Sequence, residues 1–132
     1  MIGTDPRYWP YPIPRNLGAH LLEVEEGRAK IKVTVQADWL NPLKIMHGGI
    51  MVTLMDEMMG LCGYTLNQPH GYATINLTAD YLASAKEGDI LYVYGEIEKK
   101  GRQLIHAVSY IEHENGRKVA KATSNLLAFH PK

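Results

Sequence analysis

The chain carries a single cysteine, Cys62, among its 132 residues. No internal disulfide can therefore staple it, and a reducing compartment suits it. It has no surplus of either charge, since 14 Lys and Arg balance 14 Asp and Glu. The basic excess of a nucleic-acid binder is missing, and little self-repulsion opposes self-association. The longest apolar run is broken by Asp56 and Glu57, well short of a membrane span. The opening "MIGTDPRYWPYPIPRN" has no basic segment followed by an apolar one, so a secretory signal is not expected. A cytoplasmic, soluble protein without membrane or nucleic-acid partners is the expectation. There is no phosphate loop and no GxSxG elbow. Six histidines are scattered, and His106 and His113, seven apart, would face opposite sides of a strand. No metal site is expected. Repeats, low-complexity tracts and interdomain linkers are also missing, so the length reads as one domain with one core.

What the sequence does contain divides into an arm and a domain. Residues 1–18 hold Pro6, Pro10, Pro12 and Pro14 among Tyr8, Trp9 and Tyr11. Proline fixes φ and lacks an N–H, which predicts an extended arm packed on a partner subunit or on its own domain. Residues 19–132 form the domain. "HLLEV" precedes a turn at "EEGR", and in "AKIKVTVQ" Ala29, Ile31, Val33 and Val35 alternate with polar residues, a strand with one wet face. Four further strands follow the central oily segment: "YATINLTADYL", "ILYVYGEIE", "QLIHAVSYIEHE" and "KVAKATSNLLAF". Short glycine-bearing turns separate them, and an antiparallel meander of all four is expected. One helix among six strands has an economical home on the concave face of a curved antiparallel sheet. The fold class is α+β.

The helix is predicted over residues 49–64. Its Met, Leu, Ile, Val and Cys residues cover most of the circumference, as in a buried helix. Gly49, Thr53, Asp56, Glu57, Gly60 and Tyr64 share an arc of roughly 100°. That stripe must face water, a ligand or a partner's equivalent stripe. His47, Gly48 and Gly49 precede the helix where Ser, Thr, Asp or Asn would ordinarily cap it. The start is either loose, or its N–H groups await an oxygen from outside the chain.

These residues resemble a known family. "HGGIMVTLMDEMMGL", with Asn41 six residues before His47 and Asp56 nine after it, is similar to the signature of hotdog-fold acyl-CoA thioesterases of the phenylacetate-degradation type. "TINLTADYLASAKEGD" matches the strand and turn that follow, and the likeness runs from about Leu17 to Phe129. The resemblance implies a curved sheet around the helix and a dimer whose sheets join edge to edge, often paired into tetramers. It implies active sites between protomers, an acyl-CoA substrate, and no cofactor beyond the CoA of that substrate. Helix geometry agrees independently. Asp56 lies about 10 Å along the axis from Gly49, whereas attack on a carbonyl needs groups within about 3–3.5 Å.

By the family's pattern the Gly48 N–H polarises the thioester carbonyl, and Asp56 acts as general base or nucleophile. His47 and Asn41 would position the reacting groups, and Thr74 would lie near the acid. Gly49 would take part in binding at the glycine-rich start. Each has a plainer use: a tight turn for Gly48, a solvated helix position for Asp56, an ordinary polar contact for His47, a turn starter for Asn41, a routine strand residue for Thr74. Glu57 points about 100° away from Asp56 around the helix and is expected to bind a backbone group or a base. Lys100 and Arg102 in "KKGR" are candidates for the CoA phosphates, or simply solvated turn charges. The four helix methionines read first as core filler, then as a pliable acyl pocket. Cys62 reads as a small core residue. Two other classes compete with hydrolysis: a non-catalytic acyl-CoA-binding or regulatory hotdog module, and a hotdog dehydratase.

Overall fold

The computed structural model describes residues 16–130. The expected proline-rich arm lies almost wholly outside them. Six strands and one long helix follow in the order β1 (His20–Glu25), β2 (Arg28–Thr34), α1 (Gly48–Tyr64), β3 (Tyr72–Tyr81), β4 (Ile90–Lys100), β5 (Leu104–His113) and β6 (Lys118–Ala128). A short 3-10 turn, Ala37–Trp39, buries Trp39 ahead of the helix.

The strands form one antiparallel sheet in the order β1-β2-β4-β5-β6-β3. The expected four-strand meander is therefore corrected. Only β4, β5 and β6 follow one another, and β3 sits at the far edge beside β6. The physical reason is the link between β3 and β4. It is too long for a tight hairpin, and it runs back under the sheet end. There Leu82 and Ala83 donate to the Val119 carbonyl, and the Val35 N–H bonds to the Asp89 carbonyl near the start of β4. Chain entering β4 is thus delivered beside β2.

Alternation along each strand sorts the two faces. Ala29, Ile31, Val33 and Val35 are all buried, as their period of two requires. Read across the sheet, the register builds rows. Leu21, Ile31, Val93, Ile111 and Ala120 form one row of mostly branched side chains. Two residues along, the row is Ala29, Gly95, Ser109, Ala122 and Ala79, all small. This second row makes a trough, and α1 lies in it.

The fit is tight at Gly95. A Cβ there would stand 3.0 Å from the Cys62 Sγ and 3.0 Å from the Met58 carbonyl oxygen. Met51, Leu54, Met55, Met58, Met59, Leu61 and Cys62 are buried against the sheet. Long, adaptable methionine side chains fill the space that small sheet residues leave. Burial pushes the Cys62 thiol up to about 12, with the Glu96 charge adding to it. Such a thiol is inert packing. One polar atom in the floor is unmatched: the buried Ser124 hydroxyl has no hydrogen-bond partner among the described residues.

Two stability outcomes follow from this packing. Gly95→Ala should lower the unfolding free energy by about 1–3 kcal/mol in chemical denaturation, because helix backbone must move to admit the methyl. Ser124→Ala, measured in the same way, should leave stability unchanged or raise it, since it removes an unpaired buried hydroxyl.

Candidate functional site

The outer face of α1 is the part of the helix that the sheet does not cover. Gly49 and Tyr64 are exposed, and Thr53, Asp56, Glu57 and Gly60 are half-buried. The stripe expected from the helical wheel is thus real. It runs beside β3, whose side chain at Thr74 reaches across to it.

The helix start is not loose. His47 is the N-cap, and its Nδ1 accepts the Gly49 N–H at 2.8 Å. Accepting that bond requires an unprotonated Nδ1, which puts the ring proton on Nε2. The His47 N–H donates to the Trp39 carbonyl at 2.7 Å, and the His47 carbonyl accepts from Ile50 and Met51. An imidazole therefore does the capping work of the missing Ser or Asp. The expectation for Gly49 changes with it. Gly49 has no free N–H for a ligand. Its lack of a side chain is explained instead by the His47 ring, since a Cβ would lie 2.9 Å from Nδ1. What remains open at the tip is the N–H of Gly48, which is half-buried and which no described residue engages.

Asn41 organises the loop that leads in. Its Oδ1 accepts the Leu43 N–H at 2.9 Å and the Ile45 N–H at 3.4 Å. The Asn41 backbone N–H donates to the Ile45 carbonyl at 2.8 Å. The side-chain oxygen is committed to the turn, so only its amide nitrogen is left to meet a ligand. Asn41, Met46, Gly48, Met51 and Tyr81 line a cleft of about 430 Å³ at the helix start.

Asp56 lies about 12 Å farther along the helix axis from Gly48. Thr74 Oγ1 donates to its Oδ1 at 3.0 Å, so the two residues named together from sequence do meet. Glu57 does not behave as expected. Among the described residues it has neither a backbone partner nor a base. Burial, and then the adjacent Asp56 charge, raise its carboxyl above the ordinary glutamate value.

Lys100 and Arg102 are exposed on the β4–β5 turn. That turn lies at the other end of the helix, where Gly63 packs on Ile105, the register partner of Lys100. Within one protomer they are not brought to Gly48. Among the described residues no group of three His, Cys, Asp or Glu side chains could hold a metal, and no helix is long and apolar enough to cross a membrane. Tyr81 is the cleft residue that the sequence reading missed. Its only signal was an aromatic at a strand end, and its contact with Gly48 joins residues far apart in the chain.

A six-stranded antiparallel sheet curved around one long helix, with a glycine tip and a carboxylate on the helix's uncovered side, defines a hotdog-fold protein. The chain belongs to the thioesterase superfamily, whose sequence profile matches residues 43–120, more than half of its length. A putative esterase of Caenorhabditis elegans is 26% identical over 110 residues, covering 83% of this chain and 65% of its own length. Acyl-coenzyme A thioesterase PaaI of Escherichia coli is 30% identical over 89 residues, covering 66% of this chain and 61% of its own length. The chain thus spans just under two thirds of these two relatives. The crystal structure of that Escherichia coli protein shares the fold, with a TM-score of 0.85 over 93% of this chain and 88% of that one at 22% identity. A hypothetical thioesterase of Streptococcus pneumoniae TIGR4, solved with coenzyme A, gives 0.81 over 86% and 90% at 26% identity.

The raised Glu57 carboxyl makes a pH-dependent prediction. The folded chain holds this proton more tightly than the unfolded chain does. Glu57 therefore favours the fold in acid, and that contribution is lost as pH rises from the ordinary glutamate value through the raised one. Glu57→Gln should melt higher than the parent at pH 7, with the difference closing at pH 4. Thermal denaturation at the two pH values checks this.

Proposed function

We propose that this chain hydrolyses acyl-CoA thioesters in a homodimer whose active sites lie between two copies. The observation that carries the proposal is the division of the chemistry along one helix. The open Gly48 N–H and the Thr74-held Asp56 stand about 12 Å apart, too far to serve one carbonyl. Two antiparallel copies of α1, stripe to stripe, would bring Gly48 of each against Asp56 of the other.

The edges of the sheet favour the same pairing. β1 is short, bulged between Leu21 and Glu23, and ends on charges, the usual protection of a free edge. β3 is ten residues long, pairs among the described residues only with β6, and carries apolar side chains in the open: Ile75 is 55% exposed and Tyr81 56%, with Leu82 just past its end at 52%. A second copy of β3 is the natural cover for such an edge, and it would set the two helices side by side. Lys100 and Arg102, at the C-terminal end of α1, would then lie near the partner's helix start, where CoA phosphates would need them.

In this arrangement the Gly48 N–H binds the thioester carbonyl oxygen, where negative charge develops during attack. One such donor is typically worth about 3–4 kcal/mol of transition-state stabilisation. Asp56, oriented by Thr74, takes a proton from the attacking water, or itself attacks the carbonyl carbon. With water as the nucleophile, the carbon–sulfur bond then breaks, the CoA thiolate takes the proton from Asp56, and the acyl group leaves as an acid that ionises. With Asp56 as the nucleophile, breaking that bond leaves an acyl–Asp56 anhydride, which water hydrolyses to the acid and the free carboxylate while the thiolate takes a proton from that water. His47 and Asn41 hold the tip in shape rather than touch the reacting carbon. No cofactor enters. The CoA-bound Streptococcus pneumoniae structure and the named thioesterase relative support this reading.

Asp56→Asn should cut kcat by at least ~10²-fold while the oligomer persists. Free-thiol release with a panel of aryl- and straight-chain acyl-CoAs reads the first, and size-exclusion chromatography with light scattering reads the second. Full activity in the variant removes Asp56 from the mechanism. Tight acyl-CoA binding by the parent chain without thiol release would instead mark a binding module.

A further inference from the structure

We propose that Tyr81 supplies a second donor to the substrate carbonyl, its phenol hydroxyl acting beside the Gly48 N–H. This rests on the thioesterase reading above and deepens it.

The inference begins with a count of donors. A carbonyl oxygen that gains charge is best held by more than one preorganised donor. A helix start would normally supply several, but here they are spent. His47 Nδ1 takes the Gly49 N–H, and the His47 carbonyl takes those of Ile50 and Met51. Gly48 alone remains, so a second donor has to come from another element.

Tyr81 is that element's residue. It ends β3, paired with Ala120 of β6, and its ring lies over Gly48. A Cβ on Gly48 would stand 3.0 Å from the ring Cζ, 3.1 Å from Cε1 and 3.1 Å from the hydroxyl oxygen. In a helix the Cα–Cβ bond tilts toward the N-terminus, and the first-turn N–H groups emerge at that same end. The hydroxyl therefore lies at the helix tip beside Gly48, 3.1 Å from where a Cβ would stand. No described residue engages that hydroxyl. Beside it the cleft wall is apolar, with Met46 and Met51 buried, a setting that strengthens a hydrogen bond to a charged oxygen. The same contact explains the glycine at position 48. Any side chain there would displace the ring and the hydroxyl with it.

Tyr81→Phe keeps the ring and removes only the donor. The variant should fold with an unchanged melting temperature and lose kcat by roughly 10²-fold, with KM for acetyl-CoA or phenylacetyl-CoA little altered. A second measurement does not depend on turnover. A ¹³C-labelled ketone analogue of acetyl-CoA, with methylene in place of sulfur, reports hydrogen bonding through its carbonyl stretch. The bound stretch should be shifted to lower frequency by the parent protein, and Tyr81→Phe should return part of that shift. Equal kcat in the two proteins, or equal carbonyl frequencies, overturns the role assigned to Tyr81. A parent protein that releases no thiol from any acyl-CoA defeats the hydrolytic reading instead, and the carbonyl stretch still decides for or against Tyr81.

Discussion

The structure depends on one steric constraint: α1 can reach the sheet only where the sheet is nearly bare of side chains. The row Ala29, Gly95, Ser109, Ala122 and Ala79 forms that bare strip. Gly95 brings the strand within contact of the Met58 backbone itself. With the helix sunk this far, three of its sides are spoken for by Met51, Leu54, Met55, Met58, Met59 and Leu61. Among the described residues the stripe from Gly49 to Tyr64 is the polar part of the helix left uncovered. The location of the candidate site is a consequence of that packing.

The same constraint accounts for the composition of the helix start. A chain entering the trough turns out of the loop that Asn41 organises, and no Ser, Thr, Asp or Asn stands at the cap position. His47 takes that role by folding its ring back onto the Gly49 N–H. Gly49 is bare because of the His47 ring, and Gly48 is bare because of the Tyr81 ring. Two adjacent glycines thus answer to two different neighbours, one local and one from the far edge of the sheet. The "HGG" triplet is one tightly packed unit rather than a flexible hinge.

How much of this was legible in the sequence depends on the distance over which each feature is set. The alternation of Ala29, Ile31, Val33 and Val35 and the one-sided polarity of α1 are local periodicities, and both appear in the fold as read. Asp56 follows from motif spacing and Thr74 from the family's pattern, and the two meet through a hydrogen bond. The order of the strands was misjudged because glycine-bearing links look alike whether they close a hairpin or carry the chain across to another neighbour. Only the Leu82 and Ala83 bonds to Val119 reveal the crossing. The cap was missed because imidazole is not among the common capping groups, and its ring must be placed before its nitrogen can be seen to accept. Glu57 was expected to find a partner, yet it stands half-buried beside another carboxylate.

By itself the sequence determined the class of fold, the face of the helix that would stay uncovered, and the family to which its glycine and acid spacing belongs. These are properties of neighbouring residues and of simple periods, which backbone geometry converts directly into faces. The tertiary structure alone decided which small residues line up under the helix, which N–H at its tip stays open, and which edge strand lies exposed. Those outcomes depend on register and on rings meeting across the sheet, contacts between residues that no local rule relates.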